Sequence, residues 1–202
     1  MSTVPAIIFA YILGCFNTGY YLVRLLADTD IRTLASGNTG SRNVGRLLGV
    51  KGFVLTFIGD AGKGSLAVWF ALYLGGDLKL ALAALLAVVF GHIWPVQLGF
   101  KGGKGLATFA GGMIIIMPVV ILVSLGISVA LYPVARSSTK AGLISLACSP
   151  VIMAYELLKN GIQLVSWEFM LLSLLVCLLL FVHRSNIIKE FSTHGAEDFP
   201  VE

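Results

Sequence analysis

Long apolar stretches separated by short polar segments dominate the sequence. The six longest occupy residues 4–26, 53–75, 80–98, 106–134, 142–158 and 165–182. Each is close to the roughly 20 residues that an α-helix needs to cross the hydrocarbon core of a bilayer. The pattern therefore predicts an all-α integral membrane protein.

The fourth stretch is too long for one comfortable crossing. It has 29 residues, and Met117–Pro118 interrupts it near the middle. Proline lacks a backbone N–H group and ends or kinks a helix, whereas a long helix can also be accommodated by tilting. One tilted helix and two helices joined at the proline both satisfy the pattern.

The distribution of basic residues distinguishes these two arrangements. If the stretch crosses twice, eleven Lys and Arg residues lie on one side of the membrane and two, Lys79 and Lys159, on the other, whereas a single crossing gives eight and five. The eleven are Arg24, Arg32, Arg42, Arg46, Lys51, Lys101, Lys104, Arg136, Lys140, Arg184 and Lys189. Basic residues collect on the cytoplasmic side of membrane proteins. We therefore predict seven transmembrane helices, an external N-terminus and a cytoplasmic C-terminus, with residues 1–202 forming one membrane-embedded domain.

Composition agrees with this prediction and narrows the set of partners. The chain is 57% hydrophobic and 12% charged, whereas soluble domains carry roughly 25% charged residues. The cations form no continuous polar stripe, so we expect a lipid bilayer and no nucleic acid as partner. The cysteines have neither disulfide nor metal-ligand spacing. We expect no metal, no cofactor and no obligate protein partner.

The predicted topology brings four polar stretches, 28–51, 97–105, 136–140 and the tail from residue 183, to one side of the membrane. The first contains the sequence SGNTGSRNVGR, residues 36–46. Glycine permits positive φ, so successive N–H groups can turn toward one anion, and arginine binds phosphate through two parallel hydrogen bonds. Candidate phosphate ligands here are Ser36, Gly37, Asn38, Gly40, Asn43 and Arg46. An ordinary turn-rich loop that follows the positive-inside rule would look the same.

The second polar stretch favours the anion-binding interpretation. It contains FKGGKG, in which Lys101, Gly102, Gly103 and Lys104 follow one another. Two glycine-rich loops with cations on one side of a small protein are better explained by a shared phosphate ligand than by two coincidences. Neither loop has the spacing of a nucleotide-binding P-loop.

Other polar residues lie within or beside the apolar stretches. Asp60 and Lys63 are three residues apart, on one helix face, and fit either a functional cavity or a structural ion pair. We expect this pair and His92 to adjoin the reaction centre without forming part of it.

His183 ends the last apolar stretch, and Asn186 follows three residues later. These two residues fit either a functional site or an ordinary position at the membrane interface. The His-x4-Asp pair of common glycerolipid acyltransferases and the Gly-x-Ser-x-Gly elbow are both missing.

Three segments, 36–46, 91–108 and 183–187, resemble in order and separation the signature regions of the bacterial acyl-phosphate:glycerol-3-phosphate acyltransferases. The resemblance implies a seven-helix inner-membrane enzyme whose site opens to the cytoplasm. Such an enzyme moves a fatty acyl group from acyl phosphate to the sn-1 hydroxyl of glycerol 3-phosphate, giving lysophosphatidic acid and inorganic phosphate. Matching positions imply catalytic roles for Lys104, His183, Asn186 and Thr139.

The chain departs from the family pattern at three places. Arg42 stands where the family commonly has threonine, and Lys189–Glu190 where it usually has Arg-Leu. Thr139, or Ser138 if the register shifts, stands where it usually has serine. These differences leave open a paralogue with altered substrate preference. A transporter or exchanger of a phosphorylated solute and a non-catalytic lipid-headgroup-binding scaffold are the competing interpretations.

Overall fold

A computed structural model describes residues 3–192, and these contain α-helices and short 3-10 turns but no β-strand. The helices are α1 (Thr3–Cys15), α2 (Thr18–Ala27), α3 (Ser41–Tyr73), α4 (Leu78–Ile93), α5 (Leu106–Ile116), α6 (Pro118–Ala135), α7 (Ser138–Lys159), α8 (Trp167–Val182) and α9 (Arg184–Phe191). The 3-10 turns lie at Ile31–Thr33 and Val96–Leu98. The all-α prediction is confirmed, whereas the predicted cytoplasmic C-terminus lies outside the described residues.

Several of these elements are long and apolar enough to cross a bilayer. Four segments meet that description within residues 3–192: Thr3–Ala27, Leu78–Leu98, Pro118–Ala135 and Ser138–Lys159. The pair α8 and α9, bent by 61°, makes a fifth if it is counted as one broken span. The longest helix, α3, has 33 residues but carries charged side chains along its length.

The apolar span predicted over residues 4–26 is present as Thr3–Ala27, but it consists of two helices instead of one. The helix stops at Cys15 and restarts at Thr18, and Asn17 between them has an extended backbone. The Asn17 amide donates to the carbonyl of Cys15 across 3.2 Å, which is the local side-chain bond with which asparagine competes against helix formation. The backbone groups left unpaired at the break also bond to side chains distant in the sequence, and a local pattern does not reveal such partners.

The interruption predicted at Met117–Pro118 is confirmed. α5 ends just before Met117, and Pro118 occupies the first position of α6, where its missing N–H group costs nothing. α5 has 11 residues and is therefore about 16 Å long, about half the thickness of a hydrocarbon core. The chain leaves one end of the bundle through α5 and returns to the same end through α6.

Glycines allow the central helices to approach closely. A Cβ atom at Gly64 of α3 would lie 1.9 Å from the carbonyl oxygen of Thr108 in α5, and one at Gly111 would lie 1.9 Å from that of Ala61. Small residues play this role in membrane helix interfaces because lipid provides no hydrophobic drive for association. α4 supplies much of the buried core, whereas Val120 is the single buried residue of α6.

The remaining helix boundaries also differ from the sequence prediction. α3 begins twelve residues before the predicted start at 53, and Gly49, with φ 68°, bends it between 41–48 and 50–73. α4 ends at Ile93 because the chain turns at Pro95 into the second polar stretch. At the end of the bundle away from the four polar stretches, Lys79 and Glu168 lie 3.9 Å apart and join the starts of α4 and α8.

Candidate active site

The four polar stretches meet at one end of the helical bundle. Arg32 in the first donates to the carbonyl of Leu98 in the second across 2.6 Å. In the third stretch, Lys140 Nζ lies 5.0 Å from the centre of the Phe191 ring in the tail. The grouping predicted from the positive-inside rule is thus present in the structure, because side chains join each stretch to another.

Lys104 lies at this end of the bundle, two residues before the start of α5 at Leu106. Its Nζ donates to Asn186 Oδ1 across 2.8 Å and lies 3.4 Å from Ser185 Oγ, so α5 and α9 meet here. Partial burial lowers the pKa of the Lys104 ammonium from its usual value. Within the described residues no carboxylate lies within 4.0 Å of this nitrogen. An ammonium held by neutral groups alone attracts an anion.

His183 occupies the bend between α8 and α9. Its Nδ1 donates to the carbonyl of Leu179 across 2.8 Å, which leaves Nε2 as the acceptor in the neutral ring. Burial lowers the pKa of His183, the bond to Leu179 opposes this, and the charges of Lys104 and Arg42 lower the pKa further. The imidazole is therefore neutral near pH 7, with both cations close to it.

Arg42 also lies at the candidate site, although the sequence analysis named Arg46 and not Arg42 as a phosphate ligand. It lies in the first turn of α3 and donates to the hydroxyl groups of Thr139 and, across 2.8 Å, Ser138. A cation near a helix N-terminus opposes the helix dipole. The two hydroxyls do not neutralise its charge, so this position also favours an anion. An unpaired basic residue inside a signature segment was the signal that could have identified it.

Asn43 is buried and supports the first loop instead of facing a ligand. Its Nδ2 donates to the carbonyl of Asn38 across 2.9 Å and to two others, and its Oδ1 accepts from the N–H of Ser36. The N–H of Gly37 donates to Leu34, and that of Gly40 to the Asn38 side chain. Asn43 and these three N–H groups already have protein partners, so phosphate binding through them stays a prediction that would require these bonds to be exchanged.

The glycine N–H groups of the second loop also have protein partners. The N–H of Gly102 donates to the carbonyl of Ile93 across 3.1 Å, and that of Gly103 to His92 across 3.0 Å. Both groups finish α4 and are not available to an anion. Within the described residues, the N–H groups of 104–108, at the start of α5, have no protein acceptor. The amides of this loop that are free to bind an anion therefore lie directly after the predicted Gly102 and Gly103.

The other predicted residues fall into two groups. Arg46, one turn after Arg42 on α3, and Lys101 are exposed at the same end of the bundle. Asp60, Lys63 and His92 are buried behind the loops, with Lys63 Nζ 3.1 Å from Asp60 Oδ1. None of these three contacts Lys104 Nζ.

Comparison with known proteins identifies the family. The sequence model described as glycerol-3-phosphate acyltransferase matches residues 4–193. The chain belongs to this family. A glycerol-3-phosphate acyltransferase 1 of Desulfitobacterium hafniense is 39% identical to it over 181 residues, covering 88% of this chain and 85% of the relative. A family member of Clostridioides difficile is 37% identical over 191 residues, covering 92% and 90%.

Solved structures of the family have the same fold. The crystal structure of PlsY, an integral membrane glycerol 3-phosphate acyltransferase, in its glycerol 3-phosphate form, aligns with a TM-score of 0.84 at 30% identity, covering 98% of this chain and 96% of that chain. Its lysophosphatidic acid form aligns with a TM-score of 0.81 at 28% identity, with the same coverage. The protein is thus an integral membrane acyltransferase, and the transporter interpretation is not favoured.

Proposed function

We propose that the protein transfers a fatty acyl group from acyl phosphate to the sn-1 hydroxyl of glycerol 3-phosphate, the first step of phospholipid synthesis. The observation that carries this proposal is the cluster of Lys104, Arg42 and neutral His183 at one end of a membrane bundle, in a member of the glycerol-3-phosphate acyltransferase family. Both substrates and both products contain phosphate, and within residues 3–192 the two cations of the cluster have no carboxylate partner.

The chemistry is a direct displacement at the acyl carbon. The sn-1 hydroxyl oxygen forms a bond to the carbonyl carbon, the bond from that carbon to the phosphate oxygen breaks, and the hydroxyl proton passes to the departing phosphate. Lys104 and Arg42 stabilise the charge that collects on the phosphate, which is commonly the largest catalytic contribution. Holding both substrates at one membrane edge adds the proximity term.

His183 and Asn186 orient the acceptor in this proposal. The Nε2 atom of a neutral imidazole can accept a hydrogen bond from the sn-2 hydroxyl of glycerol 3-phosphate, which leaves the proton of the attacking sn-1 hydroxyl free to pass to the phosphate, and Nδ1 is fixed by Leu179. Asn186 holds Lys104 until a phosphate arrives. Thr139 places the Arg42 guanidinium. Arg46, Lys101 and the N–H groups at the start of α5 supply the remaining positive potential, while Asn43 and the glycines shape the loops.

We further propose that the single domain has seven spans in the bacterial inner membrane and that the site faces the cytoplasm. The spans would be α1 with α2, residues 50–73 of α3, and α4 to α8. The split of eleven basic residues to two supports this orientation. A reporter fused after Glu202 should read cytoplasmic and one inserted near Gly161 external. An external C-terminus would contradict the orientation.

The donor is tested with the purified protein. Because neither a nucleotide cradle nor a His-x4-Asp pair is present, acyl phosphate should support lysophosphatidic acid formation whereas acyl-CoA should not. The matched control replaces glycerol 3-phosphate with glycerol, which lacks the anion. Efficient turnover with acyl-CoA, or equal turnover of glycerol, would overturn the proposal.

A further inference from the structure

The break between α1 and α2 interrupts an apolar span and removes hydrogen-bond partners from the backbone. α1 ends at Cys15 and α2 begins at Thr18. The last carbonyls of one helix and the first N–H groups of the next lose their intrahelical partners at such a point. In apolar surroundings each unpaired group is costly, so other parts of the protein have to pair with them.

Two side chains of α3 supply these partners. Lys63 Nζ donates to the carbonyl oxygens of Phe16, across 2.6 Å, and Gly14, across 3.0 Å. Asp60 Oδ1 accepts from the N–H of Thr18 across 3.4 Å. The exposed fraction is 5% for Lys63 and 2% for Asp60. The ammonium thus caps the carbonyl side of the break and the carboxylate the N–H side, which matches the sign of each helix dipole.

The same break is joined to both loops of the candidate site. The carbonyl of Cys15 accepts from Gln97 Nε2, in the second polar stretch, across 2.6 Å. The side chain of Asn17 accepts from the hydroxyl of Thr39, in the first polar stretch, across 2.7 Å. Asn17 and Thr39 are fully buried. A shift of the break would therefore move both loops.

His92 connects the capping pair to the loop that carries Lys104. Its Nδ1 lies 3.7 Å from Asp60 Oδ1, and its carbonyl accepts from the N–H of Gly103. A Cβ atom at Gly103 would lie 2.0 Å from His92 Nε2, so ring and loop are in close contact. Gly103 directly precedes Lys104. A continuous path of contacts thus runs from the break to the lysine of the site.

We propose that Asp60 and Lys63 are positioning residues for acyl transfer. By capping the break between α1 and α2 they fix the backbone that supports both loops, and so keep Lys104 in register with Asn186 without contacting substrate. This inference rests on the proposed function, because activity reports the position of Lys104. This role differs from the two that the sequence suggested for the buried ion pair, namely lining a functional cavity and simple charge neutralisation.

A double-mutant cycle tests the coupling. Lys63→Met removes the donor and keeps an unbranched side chain, and kcat and KM for glycerol 3-phosphate are measured in Lys63→Met, Lys104→Ala and the combined variant. Lys63→Met should lower kcat/KM by about tenfold to a hundredfold. In the Lys104→Ala background, Lys63→Met should lower kcat/KM by about threefold or less, because the ammonium that Lys63 positions is already absent. Lys159→Met, at an exposed position in the last turn of α7, is the matched control and should keep wild-type kinetics.

A second measurement reports the break itself. Cys15 is buried at the end of α1, and in a Cys148→Ala/Cys177→Ala background its reaction with a maleimide should be faster after Lys63→Met. Asp60→Asn, which keeps an acceptor oxygen but loses the charge, replaces Lys63→Met if that variant does not fold. An inactive wild-type protein would refute the proposed function, and the labelling rate would still test the cap. Equal fold losses in both Lys104 backgrounds, or an unchanged labelling rate, would overturn the inference.

Discussion

Lys104 Nζ donates a hydrogen bond to Asn186 Oδ1 across 2.8 Å, joining the start of α5 to α9. Eighty-two positions separate the two residues in the sequence. The acceptor is a neutral amide, so the bond holds the ammonium without neutralising it. Since no carboxylate of the described part of the chain reaches this nitrogen, an arriving phosphate would meet a positioned positive charge, which is what preorganised electrostatic stabilisation requires.

Replacement of Lys104 should impair catalysis more than folding. Lys104→Ala removes a charge-assisted hydrogen bond worth about 1.5–3 kcal/mol, so kcat/KM should fall by about one to two decades. Lys104→Arg should restore activity only in part, because a planar guanidinium does not replace a compact ammonium. Steady-state phosphate release by both variants is the measurement, with thermal unfolding in detergent as the check on folding. A well-folded Lys104→Ala enzyme with near-normal kinetics would show that Lys104 contributes only to the orientation of the chain in the membrane.

Arg42 should contribute to the binding of a phosphate. Arg42→Thr restores the residue common in the family but removes a charge that no carboxylate within residues 3–192 offsets, so KM for at least one substrate should rise about tenfold. Arg42→Lys should recover part of this loss, because it keeps the charge but not the two-pronged contact with Ser138 and Thr139. Unchanged KM values for both substrates in Arg42→Thr would assign the arginine to helix packing alone.

At acid pH, kcat/KM should fall because His183 becomes protonated, and this fall should begin below the ordinary pKa of histidine. Burial and the neighbouring cations lower its pKa from 6.5, so the ring stays neutral as the pH falls through that value. Protonation at lower pH removes the acceptor at Nε2, and kcat/KM should then decline. His183→Gln cannot titrate, so its pH profile should retain only the limb due to the substrate phosphates. Identical profiles for wild type and His183→Gln would exclude the proposed role.

The contact between His92 and Gly103 should be detectable because removal of the His92 side chain should restore activity to a Gly103→Ala variant. Gly103→Ala places a methyl group 2.0 Å from His92 Nε2 and must displace the loop, so activity should drop by about tenfold or more. The backbone of Gly103 does not have positive φ, so alanine is otherwise tolerated. His92→Ala/Gly103→Ala should be more active than Gly103→Ala alone, because the ring that obstructs the methyl group is removed. A double variant no better than Gly103→Ala would argue against this contact.

The sequence predicts those parts of the structure whose causes are local. Apolar length determines the helices, and Pro118 marks the break between α5 and α6 because proline acts at its own position. The break at Asn17 is invisible to such patterns, since its partners Lys63 and Gln97 lie 47 and 82 residues from the carbonyls that they bond. The positive-inside rule anticipated that the polar stretches would meet.

Residue types in the sequence predicted which side chains lie at the candidate site. They did not predict which backbone N–H groups remain free there. Lys104, His183 and Asn186 come together because their stretches converge. The glycine N–H groups of the second loop were expected to bind an anion, but they complete the end of α4 instead. Residue identity does not reveal which acceptor a loop amide reaches, because that depends on the path of the chain. Arg42 and Thr139 pair across 97 positions, a distance that no single segment discloses.

Direct acyl transfer without an acyl-enzyme intermediate fixes the stoichiometry of the two products from the first turnover onward. Purified wild-type protein in detergent is mixed rapidly with acyl phosphate and glycerol 3-phosphate, and lysophosphatidic acid and inorganic phosphate are quantified from the same time points. Direct transfer predicts that both products appear in equal amounts from the first turnover, and that without glycerol 3-phosphate the enzyme releases no phosphate beyond the slow hydrolysis measured in its absence. A burst of phosphate equal to the enzyme concentration before lysophosphatidic acid forms, or enzyme-dependent phosphate release without the acceptor, would contradict direct transfer.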